Sequence, residues 1–401
     1  MKKFHLELGE PVVVTQGEVG DQAWGHYNFP SLNYTDTGSI RAGWSYSADD
    51  IYYKSAPKEV VTAKVSDDNG KTWRLTTPAD RVHKHKMKNG KYFCGFKGKG
   101  AHAVEYFKNY TPVFTLGSRL MFFAEDIDCA PEDTEVYAIE YDPATEQNET
   151  FKVTVNWPYM PISAHDHDKA YPVTQMFALC NCSLLVGQDG DLYLVMYTRG
   201  FNSEAKSREE AVTEFTGPSG AYIFKSADCG RTWDYQSQIL IDADTMSTAS
   251  GFEGFTEPKM AQMPDGSFTM LLRTGSNHPC YIAHSADNCR TWTKPEKFDD
   301  LGVLPQILPL ACGVTLASYG RPKLRLRASG DPVAMVWEDP ITVPLSAPEG
   351  TGPFQTSCFY TNLLPLDDHT ALWTYTDFLR PNADGEPAKA VLVRTVTVVE
   401  D

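Results

Sequence analysis

An octapeptide that recurs three times constrains this chain more than any other feature. It reads Ser66-Asp67-Asp68-Asn69-Gly70-Lys71-Thr72-Trp73, then Ser226-Ala227-Asp228-Cys229-Gly230-Arg231-Thr232-Trp233, then Ser285-Ala286-Asp287-Asn288-Cys289-Arg290-Thr291-Trp292. All three fit S-x-D-x-[G/C]-x-T-W, and Ser329-Gly330-Asp331 with Trp337 one residue late is a degraded fourth copy. The spacing suits a hairpin. Ser and Asp side chains bond amides inside the turn, glycine accepts positive φ, and the Trp packs beneath the loop. One turn built three or four times implies one repeated supersecondary unit.

A second recurrence sets the number of units. A turn followed by an apolar strand appears at Asp36-Thr37-Gly38, Leu116-Gly117-Ser118, Asp189-Gly190-Asp191, Asp265-Gly266-Ser267, Ala311-Cys312-Gly313 and Asp367-Asp368-His369. Six hairpins in 401 residues leave roughly 67 residues apiece, enough for a four-stranded blade with its loops. Aromatics at 12%, with 29 Gly and 26 Pro, favour strands and tight turns over helices. The sequence therefore predicts an all-β fold, a six-bladed β-propeller of four-stranded antiparallel blades forming one domain over residues 1–401. Val12–Val14 and Ala390–Glu400 are both strand-like and would share one blade, leaving no open edge. Glu204–Glu214 is the expected short helix, in an insertion.

The charge balance narrows the partners. With 36 Lys+Arg against 52 Asp+Glu the net charge is −16, which argues against nucleic acid or an anionic membrane. No run reaches the 18 or so apolar residues of a membrane span. Two lysines near the N-terminus precede no apolar stretch of the kind a secretory signal carries, so a cytoplasmic location is expected. Of nine cysteines only Cys180 and Cys182 lie close together, a spacing that suits neither a zinc knuckle nor a disulfide framework; reduced thiols are expected.

Strand ends opposite the repeated turns converge on one pocket in such a fold. Second strands end at Ser45–Asp50, Tyr197-Thr198-Arg199, Leu272-Arg273-Thr274 and Tyr319-Gly320-Arg321. First strands begin at His26-Tyr27-Asn28-Phe29-Pro30, at Asp168–Pro172, at Thr256-Glu257-Pro258 and at Phe359-Tyr360-Thr361. Arg199, Arg273 and Arg321 thus fall at equivalent places, where guanidinium forks suit capture of a planar anion. His165-Asp166-His167-Asp168 followed by Tyr171, together with His26, suggests proton transfer or a metal. Spacing fixes no third ligand, so neither metal nor cofactor is expected. Rim residues satisfied by hydrogen bonds would give the same pattern.

The octapeptide is the Asp-box, and with six hairpins it resembles the sialidase superfamily of β-propellers over nearly the whole chain. Glu257…Asp265-Gly266…Leu272-Arg273 is similar to one blade of that family, and Tyr319-Gly320-Arg321-Pro322 to its next arginine. Phe359-Tyr360-Thr361-Asn362 resembles the strand bearing its nucleophilic tyrosine, while Asp49 or Asp50 stands where the family has its acid/base. The resemblance implies a retaining exo-glycosidase that releases a terminal sialic acid or related 2-keto sugar acid. A carboxylate nucleophile would be repelled by the substrate carboxylate, whereas Tyr360 activated by Glu257 would not. An Asp would protonate the leaving oxygen, and Arg273, Arg321 and Arg199, with Asn28, His26, His165 and Tyr171, would hold the acidic sugar. The family's first-blade arginine is absent, since Asn28-Phe29-Pro30 occupies its place. Two alternatives stay open: a lyase of uronic-acid glycans using Tyr171 and His165, and a propeller that binds glycans without turnover.

Overall fold

The computed structural model describes residues 3–46, 60–97, 101–102, 109–116, 119–123, 126, 135–157, 161–165, 171–175, 181–199, 202, 204–207, 210 and 218–401. Apart from the helical turn Pro353–Thr356, its described elements are strands. The protein is all-β. The expected helix at Glu204–Glu214 falls largely outside the described residues. Internal contacts divide the chain into two units, Met1–Val82 with Ala261–His284 and Lys294–Asp401, and His83–Met260 with Ser285–Thr293.

The first unit is built from meanders in which each strand pairs with the next. Ser31–Tyr34, Ile40–Gly43, Ala63–Ser66 and Arg74–Leu75 form one four-stranded antiparallel sheet. Val303–Pro309, Thr315–Gly320, Leu324–Ser329 and Ile341–Val343 form another. A third runs through Asn362–Pro365, Thr370–Pro381 and Pro387–Glu400, and Phe4–Leu8 and Val12–Gln16 both pair with the last of these. The two ends of the chain therefore share one sheet, with Val12 opposite Val393 and Phe4 opposite Glu400. Thr315–Gly320 is buried along its whole length, as expected of a strand covered on both faces. Leu324–Ala328 alternates buried and half-buried positions instead, as a strand with one wetter face does. Leu316, Leu326, Phe359, Trp373 and Leu392 pack into the largest core of this unit.

The second unit repeats the pattern. Asn181–Val186, Leu192–Arg199, Ser219–Ser226 and Thr232–Ile239 pair in succession, all antiparallel. Tyr92–Lys97, Val136–Asp142 and Gln147–Asn156 form a second antiparallel set, whose last strand runs parallel to Thr232–Ile239. Phe93, Trp157, Tyr222, Phe224 and Trp233 make the core between them. The sequence places Asp168–Pro172 at the start of the strand entering the Asp189-Gly190 turn. That strand is instead Asn181–Val186, and Tyr171–Gln175 pairs back on Pro161–His165. Both runs carry aliphatic or aromatic residues, so pattern alone does not separate them.

Each Asp-box closes its turn in the same way. In the first, Ser66 Oγ receives the Gly70 amide at 2.8 Å and donates to Asp68 at 2.8 Å. Asp68 in turn accepts the Thr72 amide at 2.8 Å and the Thr72 hydroxyl at 2.7 Å. The Trp73 indole donates to the Gly70 carbonyl at 3.1 Å, and Trp233 does the same to Gly230 at 3.1 Å. The degraded copy keeps this bond, with Trp337 donating to Ala334 at 2.7 Å, so the extra residue is absorbed within the loop. Trp292 differs. It donates to Ser237 Oγ at 3.0 Å, because that hydroxyl already occupies the Cys289 carbonyl. Of the three tryptophans expected beneath the turns, Trp233 is fully buried while Trp73 and Trp292 are half-buried.

These bonds hold the box aspartates in their charged form. Thr291 is the main cause of lowering the Asp287 carboxyl from 3.8 to about 2, and Thr72 acts likewise on Asp68. A depressed folded-state value stabilises the fold above the unfolded value, and that contribution is lost as pH falls through the folded one. The stability difference between wild type and Asp287→Asn should therefore be full above about pH 4 and shrink toward pH 2. Denaturant midpoints across that range measure it; a gap that does not change with pH would remove the assigned role.

Candidate anion-binding site

The ends of several strands in the first unit are drawn together by side-chain bonds. Asn362 accepts the Leu32 amide at 3.1 Å and donates to Gln306 at 3.3 Å, so it ties the first strands of three sheets. Ser318 and Thr361 share a 2.7 Å hydroxyl pair beside it. At Gly320 the approach is closer still: a Cβ would lie 2.5 Å from both the carbonyl oxygen and the Cβ of Phe359. Only glycine lets these backbones meet, and their meeting sets Arg321 against the segment 357–361.

The backbone around this point is held in an unusual state. Arg321 (φ 58), Phe359 (φ 62), Tyr27 (φ 63) and Phe29 (φ 52) are all left-handed although none is glycine. Such residues cost free energy and persist where surrounding contacts over-determine them, often at functional sites.

Arg321 is 4% exposed. It donates through Nη2 to the Cys358 carbonyl at 2.9 Å and through Nη1 to Ser276 Oγ at 3.0 Å. Its guanidinium lies 4.8 Å from the Phe354 ring, 5.5 Å from Tyr360 and 5.9 Å from Trp24. Among the described residues no carboxylate reaches it, and its buried Nε has no hydrogen-bond partner. Arg273, 7% exposed on Phe268–Gly275, also donates to Ser276 Oγ, at 3.5 Å. Two buried guanidinium groups thus converge on one neutral hydroxyl. For Arg321, buried with no carboxylate among the described residues, an added anion would offset the cost of the buried charge.

Tyr360, 7% exposed, packs against Phe29 with ring centres 4.8 Å apart. Asn28, where the first arginine was looked for, is fully buried, and neither amide atom has a partner among the described residues. Its carbonyl accepts from the Ser45 amide at 2.8 Å. His26 stacks on Tyr46 at 3.9 Å and bonds Asp21 at 3.0 Å. Burial pushes the Asp21 carboxyl up, but the His26 and Ala23 hydrogen bonds outweigh it and the net shift is down.

The other sequence candidates lie in the second unit or outside the described residues. Glu257 is half-buried at φ 45, in the middle of Phe252–Gln262 where a strand start was expected. Arg199 ends Leu192–Arg199 opposite Ser219, His165 ends Pro161–His165 opposite Arg119, and Tyr171 begins Tyr171–Gln175 opposite His102. Asp49, Asp50 and His167 lie outside the described residues. Sequence reasoning missed Ser276 and Trp24, which come from loops, and Phe354, which comes from the short helical turn Pro353–Thr356; none carries a periodic signal. The closeness of Ser276 to Arg273 in the chain was the one available hint.

Residues 160–343 match a family model described as a BNR repeat-like domain. No curated protein sequence matches the chain. Among solved structures, a protein of unknown function from Dyadobacter fermentans is 16% identical, covering 98% of this chain and 99% of its own, with a TM-score of 0.58. The NanB sialidase of Streptococcus pneumoniae, as a K499G mutant, is 14% identical over 97% of this chain and 70% of its own, with a TM-score of 0.46. The α-L-arabinofuranosidase Arb93A of Fusarium graminearum is 13% identical over 96% and 97%, with a TM-score of 0.49. The repeat-like match over residues 160–343, the Asp-box turns and the all-β meanders are the features this chain shares with BNR repeat-like proteins.

Proposed function

We propose that this protein is a six-bladed propeller glycosidase acting on a terminal acidic sugar, whose carboxylate is captured by Arg273 and Arg321. The observation that carries the reading is their convergence on Ser276 Oγ, with Arg321 buried and no carboxylate at hand among the described residues. A buried cation without a counter-charge is costly, and a ligand carboxylate would bond it in bidentate fashion. Tyr360, whose ring lies beside Arg321, is the proposed nucleophile, and its attack on the anomeric carbon would expel the aglycone oxygen. For the base such a tyrosine needs, the sequence offers Glu257; for the proton donor it offers Asp49 or Asp50. Sialic acid or a related 2-keto sugar acid suits a tyrosine nucleophile best, because its anomeric carbon already bears the carboxylate.

A panel of aryl glycosides tests this directly. Release of the aryl alcohol from the acidic sugars, and not from their neutral counterparts, is expected. Turnover of neutral glycosides alone would overturn the reading. A second reading, binding without turnover, has one observation in its favour: buried, uncharged Asn28 where an arginine would complete a triad. Saturable binding of an acidic sugar with no product over long incubation would favour it.

A further inference from the structure

The first and second Asp-boxes differ in what lies beside them. The residue before the threonine of each full box is basic: Lys71, Arg231 and Arg290. Arg231 meets a carboxylate oxygen of the buried Glu140 at 3.1 Å, and Lys91 reaches the same oxygen at 2.7 Å. Beside the second box, then, the chain holds a carboxylate of its own against two cations. Beside the first box it provides a second cation instead, Arg394. The Arg394 Nε donates to the Gly9 carbonyl at 2.9 Å. Among the described residues, neither its terminal nitrogens nor the Lys71 ammonium forms an ion pair.

Lys71 and Arg394 both line a cavity of about 340 Å³ in the first unit. Small-ligand sites span roughly 300–1,000 Å³, so the volume is sufficient. Much of the remaining wall is aliphatic: Val12, Leu366, Leu372 and Val393, the last two buried. The turn closes onto this wall, since a Cβ at Gly70 (φ 88) would lie 3.0 Å from both Leu372 methyl carbons. Glu10, exposed, is the only acidic group among the described residues of the wall.

We infer that this cavity binds a medium-chain aliphatic monocarboxylate. With Nε held by Gly9, the two terminal nitrogens of Arg394 form a fork that suits a planar carboxylate. Lys71 adds a point charge, and the alkyl chain covers the aliphatic wall. Charge sets the limit. Lys71 and Arg394 against Glu10 leave one positive charge, which a monoanion neutralises and a dianion exceeds. The ligand thereby takes the place that Glu140 fills beside the second box. The wall shares no residue with the groups that touch Arg321, so the inference stands apart from the acidic-sugar reading.

Isothermal titration of the whole protein with octanoate tests it, with octanamide as the uncharged isostere. Saturable octanoate binding is expected, with octanamide at least tenfold weaker. Shortening to hexanoate should weaken binding about three- to fourfold for each methylene removed, as burial of the chain requires. Octanedioate, whose far carboxylate would lie against the aliphatic wall, should bind at least tenfold more weakly than octanoate. Lys71→Ala and Arg394→Gln should each weaken octanoate about tenfold, whereas Arg321→Ala should leave it unchanged. Loss of binding in Arg321→Ala with retention in Lys71→Ala would move the ligand to the other arginines and overturn the inference. No octanoate binding, or equal binding of octanamide, would overturn it as well. If Arg394→Gln does not fold, Lys71→Glu decides, because it reverses an exposed charge; octanoate binding that survives it would contradict the site.

Discussion

A Tyr360→Phe variant should fold as wild type and lose at least about a thousandfold in turnover of an acidic glycoside. The substitution keeps the ring that packs on Phe29 and lies under Arg321, and removes only the oxygen. Stability should change by no more than about 1 kcal/mol, the scale of one hydrogen bond. Turnover falls much further because an oxygen nucleophile has no substitute once the covalent step is lost. Acidic-ligand binding should stay within about threefold, since the arginines are untouched. Measuring kcat and the inhibition constant of the free sugar acid on the same sample separates these effects. Undiminished kcat would eliminate Tyr360 as the nucleophile and leave the carboxylate site standing.

Gly320→Ala should produce a large structural effect for a single methyl group. The added Cβ would meet the Phe359 backbone oxygen and Cβ at 2.5 Å, and neither belongs to a side chain that can swing away. The end of Thr315–Gly320 and the segment at Phe359 must then separate, at a cost of about 3 kcal/mol, the upper part of the usual range for overpacking. Separation also withdraws Arg321 from the Cys358 carbonyl and from Ser276. The unfolding midpoint should drop and binding of an acidic sugar should weaken tenfold or more in the same variant. A normal midpoint would mean that the close approach is not needed, and the account of how Arg321 is positioned would fail.

Much of the fold was legible because its signals are local. Ser66, Asp68, Gly70, Thr72 and Trp73 bond within eight residues of each other, so a spacing rule captures the whole motif. Strand pairing at the ends of the chain was legible too, since Val12–Gln16 and Pro387–Glu400 are both apolar, strand-like runs at the two ends of the chain. Tyr171–Gln175 was misplaced because two short apolar runs compete for one turn, and the choice between them depends on tertiary packing. The nearness of Arg273, Arg321 and Tyr360 was legible, because all three stand at or near the ends of strands that the repeat orders. The site was not legible at Trp24 and Phe354. These reach Arg321 from a loop 297 residues away and a helical turn 33 residues away in sequence, and no periodicity links them to it. The left-handed backbone at Arg321 and Phe359 was equally hidden, because neither residue type advertises positive φ.

The central claim is that Arg273 and Arg321 bind a ligand carboxylate, and chemical removal of that carboxylate tests it most directly. Isothermal titration with N-acetylneuraminic acid and with its methyl ester, at one pH and salt concentration, compares ligands that differ in charge at a single group. Losing the charged hydrogen bonds should cost about 1.5–3 kcal/mol, or roughly 10- to 150-fold in affinity. The account predicts that wild type prefers the acid by that margin and that Arg321→Ala abolishes the preference. Equal affinity of wild type for acid and ester, both bound, would contradict it.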